Sequence, residues 1–202
     1  MPQTGNPSLQ FEPEIAAYEK RDKAEPPPTR AVLFVGSSSF RLWSDLETSF
    51  PKTKVINRGF GGSVIKDSTY YADRIVLPYH PRMVVLYAGD NDIAQGRTPE
   101  GVCADFVEFA NKVRAGLPDV KIAYVSIKPC PLRWKLVDKV RDANSRIKRY
   151  IHTQKRMSYI NVFDAQLGPD GQPIPELYRE DGLHPTKACY QLWTKIIAPY
   201  LK

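Results

Sequence analysis

Four short polar motifs hold the residues of this chain whose types and spacing could do chemistry. They are Gly36-Ser37-Ser38-Ser39, Gly59-Phe60-Gly61-Gly62-Ser63, Gly89-Asp90-Asn91-Asp92 and Asp181-Gly182-Leu183-His184-Pro185. Between them they offer a hydroxyl nucleophile, donors for a developing oxyanion, an imidazole base and a carboxylate to orient it. Those are the parts that acyl transfer by a serine requires, because a hydroxyl is a poor nucleophile at neutral pH without a base in hydrogen-bond reach. Each motif alone has a plainer reading. Three serines at a helix start make an N-cap, and an Asp-x-x-His turn or an Asx turn is ordinary loop structure. The set is informative because every required group occurs once, with little left over.

The base is the most constrained assignment, since the chain has three histidines. His80 precedes an apolar run beside Pro81, at the end of the sheet away from the motifs, and His152 falls near the end of a basic helix, so both read as structural. His184 is left. Asp181, three residues before it, can accept the imidazole N–H and fix the tautomer, and Glu180 is a rival carboxylate that spacing does not exclude. Gly59, Gly61 and Gly62 let backbone N–H groups approach an oxyanion or equally a phosphate. Asn91 adds a side-chain amide donor.

The elements that position these motifs follow from hydrophobic periodicity. Apolar runs at Ala31 to Val35, Lys54 to Ile56, Met83 to Tyr87, Val120 to Ile127 and Tyr159 to Val162 read as strands. Between them lie helical patterns near Leu42 to Phe50, toward Val76, from about Pro99 to Gly116, across Arg133 to Arg156, and finally through Leu201. This β/α repetition predicts a parallel sheet covered on both faces with right-handed crossovers. Ligand sites in such sheets form outside the carboxyl ends of the strands, where the four motifs converge. Residues 1–29 are expected to form an arm: one short helix marked by Phe11, Ile15 and Tyr18, then a stiff Pro26-Pro27-Pro28 connector. Residues 30–202 form the body.

The 202 residues, 42% hydrophobic and 11% aromatic, are enough for one sizeable core. Cys103, Cys130 and Cys189 are odd in number and widely spaced, which argues against a disulfide framework or a zinc ribbon. The net charge of +7 raises the question of nucleic acid. From Arg133 to Arg156, however, nine Lys or Arg accompany Asp138 and Asp142 on a segment with Leu136, Val140, Ala143, Ile147 and Tyr150 at helical spacing. That is an amphipathic helix with a solvated basic face, and no nucleic-acid partner is expected. No apolar run approaches the roughly 20 residues that span a bilayer. With no signal-like start, a cytoplasmic location is expected, unless a leader has been removed.

Together the four motifs resemble the SGNH hydrolases, or GDSL esterases, from about Ala31 to the C-terminus. The segments Asn57 to Gly62 and Tyr87 to Asp92 are similar to the bacterial branch related to platelet-activating-factor acetylhydrolases. The resemblance implies a three-layer αβα sandwich around a central parallel five-stranded sheet of flavodoxin-like order. It implies Ser38 as nucleophile, Asp181 and His184 as its partners, and oxyanion donors from Ser38 N–H, Gly62 and Asn91. One departure is visible: where the family begins Gly-Asp-Ser-Leu, this chain has Ser37 in place of the aspartate, so the network around the nucleophile differs. The expected activity is hydrolysis of short-chain, first of all acetyl, esters through an acyl-enzyme, with no cofactor. Trp43, Phe60, Arg133 and Trp134 are candidate substrate contacts. Two other readings are a metal-dependent phosphoesterase using Asp90, Asp92, Asp181 and His184, and a binding module without turnover.

Overall fold

The computed structural model describes residues 6–202, so the first five residues of the expected arm lie outside the described residues. The apolar runs form β1 (Val32–Gly36), β2 (Val55–Gly59), β3 (Met83–Tyr87), β4 (Lys121–Val125) and β5 (Met157–Ile160). All neighbours are parallel and the order is β2-β1-β3-β4-β5, the flavodoxin-like arrangement. The helices are α1 (Glu12–Ala24), α2 (Ser38–Arg41), α3 (Leu46–Ser49), α4 (Ile65–Tyr70) and α5 (Ala72–Ile75) in the first half. They continue as α6 (Asp90–Ala94), α7 (Pro99–Gly116), α8 (Val137–His152) and α9 (Lys187–Ile197).

Strand alternation divides the buried residues between two faces. Leu33, Val35, Val84, Leu86, Ile122 and Tyr124 pack on one side with residues of α4, α5, α7 and α8, joined there by Phe11 and by Ile15 of α1. Phe34, Val85, Tyr87 and Val125 face the other side, under Phe40, Trp43, Tyr190 and Trp193. Both faces of β1 and β3 are therefore covered, which is why these strands are continuous apolar runs. On α8 the residues at spacings of three and four, Val140, Ala143, Ile147 and Ile151, are buried. Part of its basic face is paired, with Arg146 meeting Asp142 and Glu100.

Several boundaries differ from those the sequence suggests. The stretch from Leu42 to Phe50 is not one helix: α2 and α3 are separate, joined by bonds from Trp43 N to Phe40 O and from Leu46 N to Trp43 O. These tighter i→i+3 turns let Phe40, Trp43, Leu46 and Phe50 all enter the same core. β5 begins two residues early, at Met157, and α9 gives way at Ala198 to a 3₁₀ turn containing Pro199.

Candidate active site

The site is assembled at the carboxyl ends of β1, β2 and β3. Gly36 ends β1 with φ +130°, and a Cβ there would lie 2.0 Å from Tyr87 O, so the chain turns away from the sheet only because the residue is glycine. Ser37 N then donates to Tyr87 O at 2.9 Å, and Ser38 opens α2. The three serines are not equivalent. Ser37 and Ser39 are buried, whereas Ser38 is half-buried with its Oγ 3.0 Å from His184 Nε2. His184 Nδ1 lies 2.6 Å from Asp181 Oδ2.

Asp181 also holds its own loop. Its Oδ1 accepts from Leu183 N at 2.8 Å and from His184 N at 2.9 Å. Partial burial alone would raise its pKa, but the His184 N–H, the imidazole and the Leu183 N–H bring the carboxyl down to about 2. The rival Glu180 is exposed, and the carboxylate at the imidazole is that of Asp181. Leu132 N donates to Gly182 O, tying this loop to the segment after β4. His80 lies just ahead of β3, in a left-handed conformation, and His152 ends α8.

The second and third motifs meet beside Ser38. A Cβ on Gly62 would stand 3.7 Å from Asn91 Nδ2, so these two candidate donors are neighbours. Asn91 Nδ2 donates to Ser37 Oγ at 2.9 Å and to Ser63 O at 3.1 Å. Ser37, standing where the family has aspartate, thus accepts from the very amide that the motif reading singles out. Among the described residues, the backbone N–H groups of Ser38 and Gly62 donate to no protein acceptor.

Beneath Asn91 sits a buried charge cluster. Asp90 Oδ1 accepts from Asn91 N at 3.0 Å, and its Oδ2 accepts from the fully buried Lys128 Nζ at 2.8 Å, with Arg133 Nη1 at 3.6 Å. Burial opposes the charge on Asp90, but the Lys128 ammonium and then Arg133 outweigh it, and the carboxyl stays below its ordinary value. Lys128 also donates to Tyr87 OH. Asp92 is different: Oδ1 accepts from Ile65 N, Oδ2 is buried without a partner, and burial pushes the carboxyl up to about 7. The motifs do not flag Lys128 as part of this network, although a lysine closing an apolar strand run is a signal for a buried ion pair.

The four candidate substrate contacts do not gather into one pocket. Trp43 is 1% exposed and stacks on Tyr190 at 4.8 Å, and Phe60 is fully buried, edge-on to Phe11 at 5.2 Å. Both are core residues, because the turns that carry them point the rings inward. Arg133 and Trp134 line a cavity of about 10 Å³ with Asp90 and Lys128, room for roughly one water and not for an acyl chain. A groove of about 470 Å³ lies instead beside Gly62, bounded by Phe11, Val64, Lys66 and Tyr70.

Among the described residues, no three His, Cys, Asp or Glu side chains are grouped as a metal site needs. Asp90 is committed to Lys128, and Asp181 with His184 to each other. Among the described residues, no helix is long and apolar enough to cross a membrane.

The fold is similar to that of a Streptococcus pneumonia protein named for platelet activating factor, with a TM-score of 0.84 and 21% identity over 96% of this chain and 94% of that one. It is similar to a GDSL-like lipase from Bacteroides thetaiotaomicron, at TM-score 0.80 and 21% identity over 93% of this chain and 96% of that one. A family 3 carbohydrate esterase from Clostridium thermocellum gives a TM-score of 0.64 and 16% identity over 86% of this chain and 98% of that one. No curated protein sequence matches the chain. The family model for GDSL-like lipases and acylhydrolases matches residues 32–192, which is well over half of the chain. The protein therefore belongs to the GDSL-like lipase/acylhydrolase family and is a carboxylic ester hydrolase.

Proposed function

We propose that the protein hydrolyses short-chain esters, acetyl esters first, through an acyl-enzyme on Ser38. The observation that carries this reading is the continuous relay from Ser38 Oγ to His184 Nε2 at 3.0 Å and from His184 Nδ1 to Asp181 Oδ2 at 2.6 Å. In the first half-reaction Ser38 Oγ attacks the ester carbonyl while His184 Nε2 takes the hydroxyl proton, and Asp181 stabilises the imidazolium that forms. His184 then returns the proton to the leaving alcohol. In the second half, water loses a proton to His184 as it attacks the acyl group, and Ser38 leaves reprotonated.

The carbonyl oxygen becomes an oxyanion in both tetrahedral intermediates. The free N–H groups of Ser38 and Gly62 are its first donors, and Asn91 Nδ2 joins them by yielding the longer of its two contacts, that to Ser63 O at 3.1 Å. Ser37 Oγ keeps the amide aimed.

Short acyl groups are favoured because the space behind α2 is filled. Phe40, Trp43, Tyr190 and Trp193 pack there with ring centroids 4.8 to 6.4 Å apart, so a long chain entering behind Ser38 would have to displace core residues. The alcohol half has the open groove beside Gly62 available.

The test is labelling with a fluorophosphonate probe and peptide mapping, on the wild type and Ser38→Ala, alongside hydrolysis of p-nitrophenyl acetate and octanoate. One adduct on Ser38, loss of turnover in the variant and a higher kcat/KM for acetate are expected. An adduct elsewhere, or retained turnover in Ser38→Ala, would remove the mechanism, and preference for octanoate would remove the acyl assignment.

A further inference from the structure

The arm makes four contacts on either side of Gly62, three with Gly59 to Gly61 and one with Asp67 of α4. Tyr18 OH donates to Gly59 O. The Phe11 ring packs edge-on against Phe60 and fills the space above Gly61, where a Cβ would meet Phe11 Cε1 at 2.3 Å. Glu14 Oε2 accepts from Gly61 N at 3.1 Å. Ser8 Oγ donates to Asp67 Oδ1 at 2.7 Å, and Asp67 Oδ2 accepts from Val64 N at 2.8 Å.

Gly59, Phe60, Gly61 and Val64 are thus held, directly or through Asp67, while the Gly62 N–H between them has no protein acceptor among the described residues. Gly61 has φ +32° and needs an external partner to fix its peptide plane, since glycine supplies no side-chain restraint. Glu14 is that partner. The same carboxylate oxygen lies 3.7 Å from Arg41 Nε at the end of α2, so one side chain touches both the oxyanion loop and the helix that Ser38 opens.

We infer that α1 is a positioning element of the active site and that Glu14 is its positioning residue. It fixes the Gly61 peptide and through it the direction of the Gly62 N–H. Glu14 touches no reacting atom. The inference rests on the reading of Gly62 as an oxyanion donor and adds that the donor is set through its neighbour Gly61 by a residue 47 positions away from that neighbour. The rest of α1 is anchored independently, by Asp22 on the buried Arg58 at 2.5 Å and by Glu19 on Arg74 at 2.7 Å, so the helix stays docked when Glu14 is changed.

The experiment compares wild type, Glu14→Ala, Glu14→Met, Glu14→Gln and the control Glu19→Ala in p-nitrophenyl acetate kinetics, with near-UV circular dichroism as the fold check. Deleting an oxyanion donor costs about 100-fold or more in kcat, and loosening one is expected to cost about ten-fold. Glu14→Ala and Glu14→Met should lose kcat by that factor with KM within two-fold of wild type. Glu14→Gln, whose amide oxygen still accepts from Gly61 N, should recover to within about three-fold, and Glu19→Ala should keep wild-type kcat. Methionine preserves side-chain bulk, so it reports even if the alanine variant unfolds. Wild-type kcat in Glu14→Met, or a Glu14→Gln defect equal to that of Glu14→Met, would overturn the inference. Failure of the underlying reading shows separately, as wild-type protein that the fluorophosphonate does not label at Ser38.

Discussion

Replacing Asp92 by Asn should remove a pH dependence of stability that the wild-type protein carries between about pH 4 and pH 7. Asp92 is 3% exposed, with Oδ1 accepting from Ile65 N at 3.1 Å and Oδ2 buried without a partner. Burial, with smaller contributions from the charges of Asp90 and Asp105, raises its pKa from 3.8 to about 7 against the pull of nearby backbone N–H groups. In the window between those values the folded protein keeps a proton that the unfolded chain has released. Stability contributed by the protonated carboxyl is therefore complete below pH 4, falls as the pH rises, and is gone above pH 7. A separation of about three pH units at about 1.4 kcal/mol each gives about 4 kcal/mol. The Asn carbonyl still accepts from Ile65 N, and its amide never ionises. Urea unfolding at pH 4, 5.5, 7 and 8.5 should show the stability of Asp92→Asn, relative to wild type, growing by about 4 kcal/mol across the series at constant m-value. The contribution of Asp181 has the opposite sign, appearing above its unfolded value of 3.8 and lost toward pH 2, and it cancels in the comparison. A stability difference that stays constant to within about 1 kcal/mol from pH 4 to 8.5 would refute the reasoning.

Asp181→Asn keeps an oxygen for the Leu183 and His184 N–H groups but turns an amide toward Nδ1, favouring the wrong imidazole tautomer, so kcat should fall about 10³- to 10⁴-fold with the melting temperature little changed. Steady-state hydrolysis beside a thermal melt checks both halves. Ser37→Ala frees the Asn91 amide from its 2.9 Å partner, and turnover should drop about ten-fold while fluorophosphonate still labels Ser38. Full activity would show that Ser37 does not aim the amide. Lys128→Met leaves Asp90 buried with Arg133 at 3.6 Å as its nearest cation, which should cost about 3 kcal/mol in urea unfolding. Adding Asp90→Asn should recover most of that loss, and no recovery would mean that Lys128 acts through packing instead.

What the sequence makes legible is whatever a short stretch of chain decides by itself. β3 reads at its observed ends because Met83–Tyr87 is buried on both faces and therefore uniformly apolar. α7 reads at its ends because Thr98 caps Gly101 N and Pro99 opens the first turn. The meeting of the motif loops is legible too, since a parallel sheet delivers all its carboxyl ends to one edge. Side-chain direction at those loops is not. Trp43 and Phe60 look like pocket aromatics from their place near the motif loops, yet both rings turn into the core, because a residue just past a strand end can face either way and burial of some 150 Å² or more of ring decides it.

The polar contacts around the candidate site are illegible for a related reason: their partners are far apart in the chain. Lys128 meets Asp90 across 38 residues, and Glu14 meets Gly61 across 47. Neither side chain stands in a motif of fixed spacing. A buried Lys can be suspected from its apolar surroundings, since an unpaired ammonium there would be costly, so its partner can be sought among the carboxylates at neighbouring strand ends. Glu14 carries no such mark, as an acidic residue near a helix start is ordinary. The difference is energetic. A buried charge constrains its surroundings strongly enough to leave a trace in composition, whereas a half-exposed carboxylate accepting one backbone N–H does not, even when that N–H lies next to Gly62, a candidate oxyanion donor.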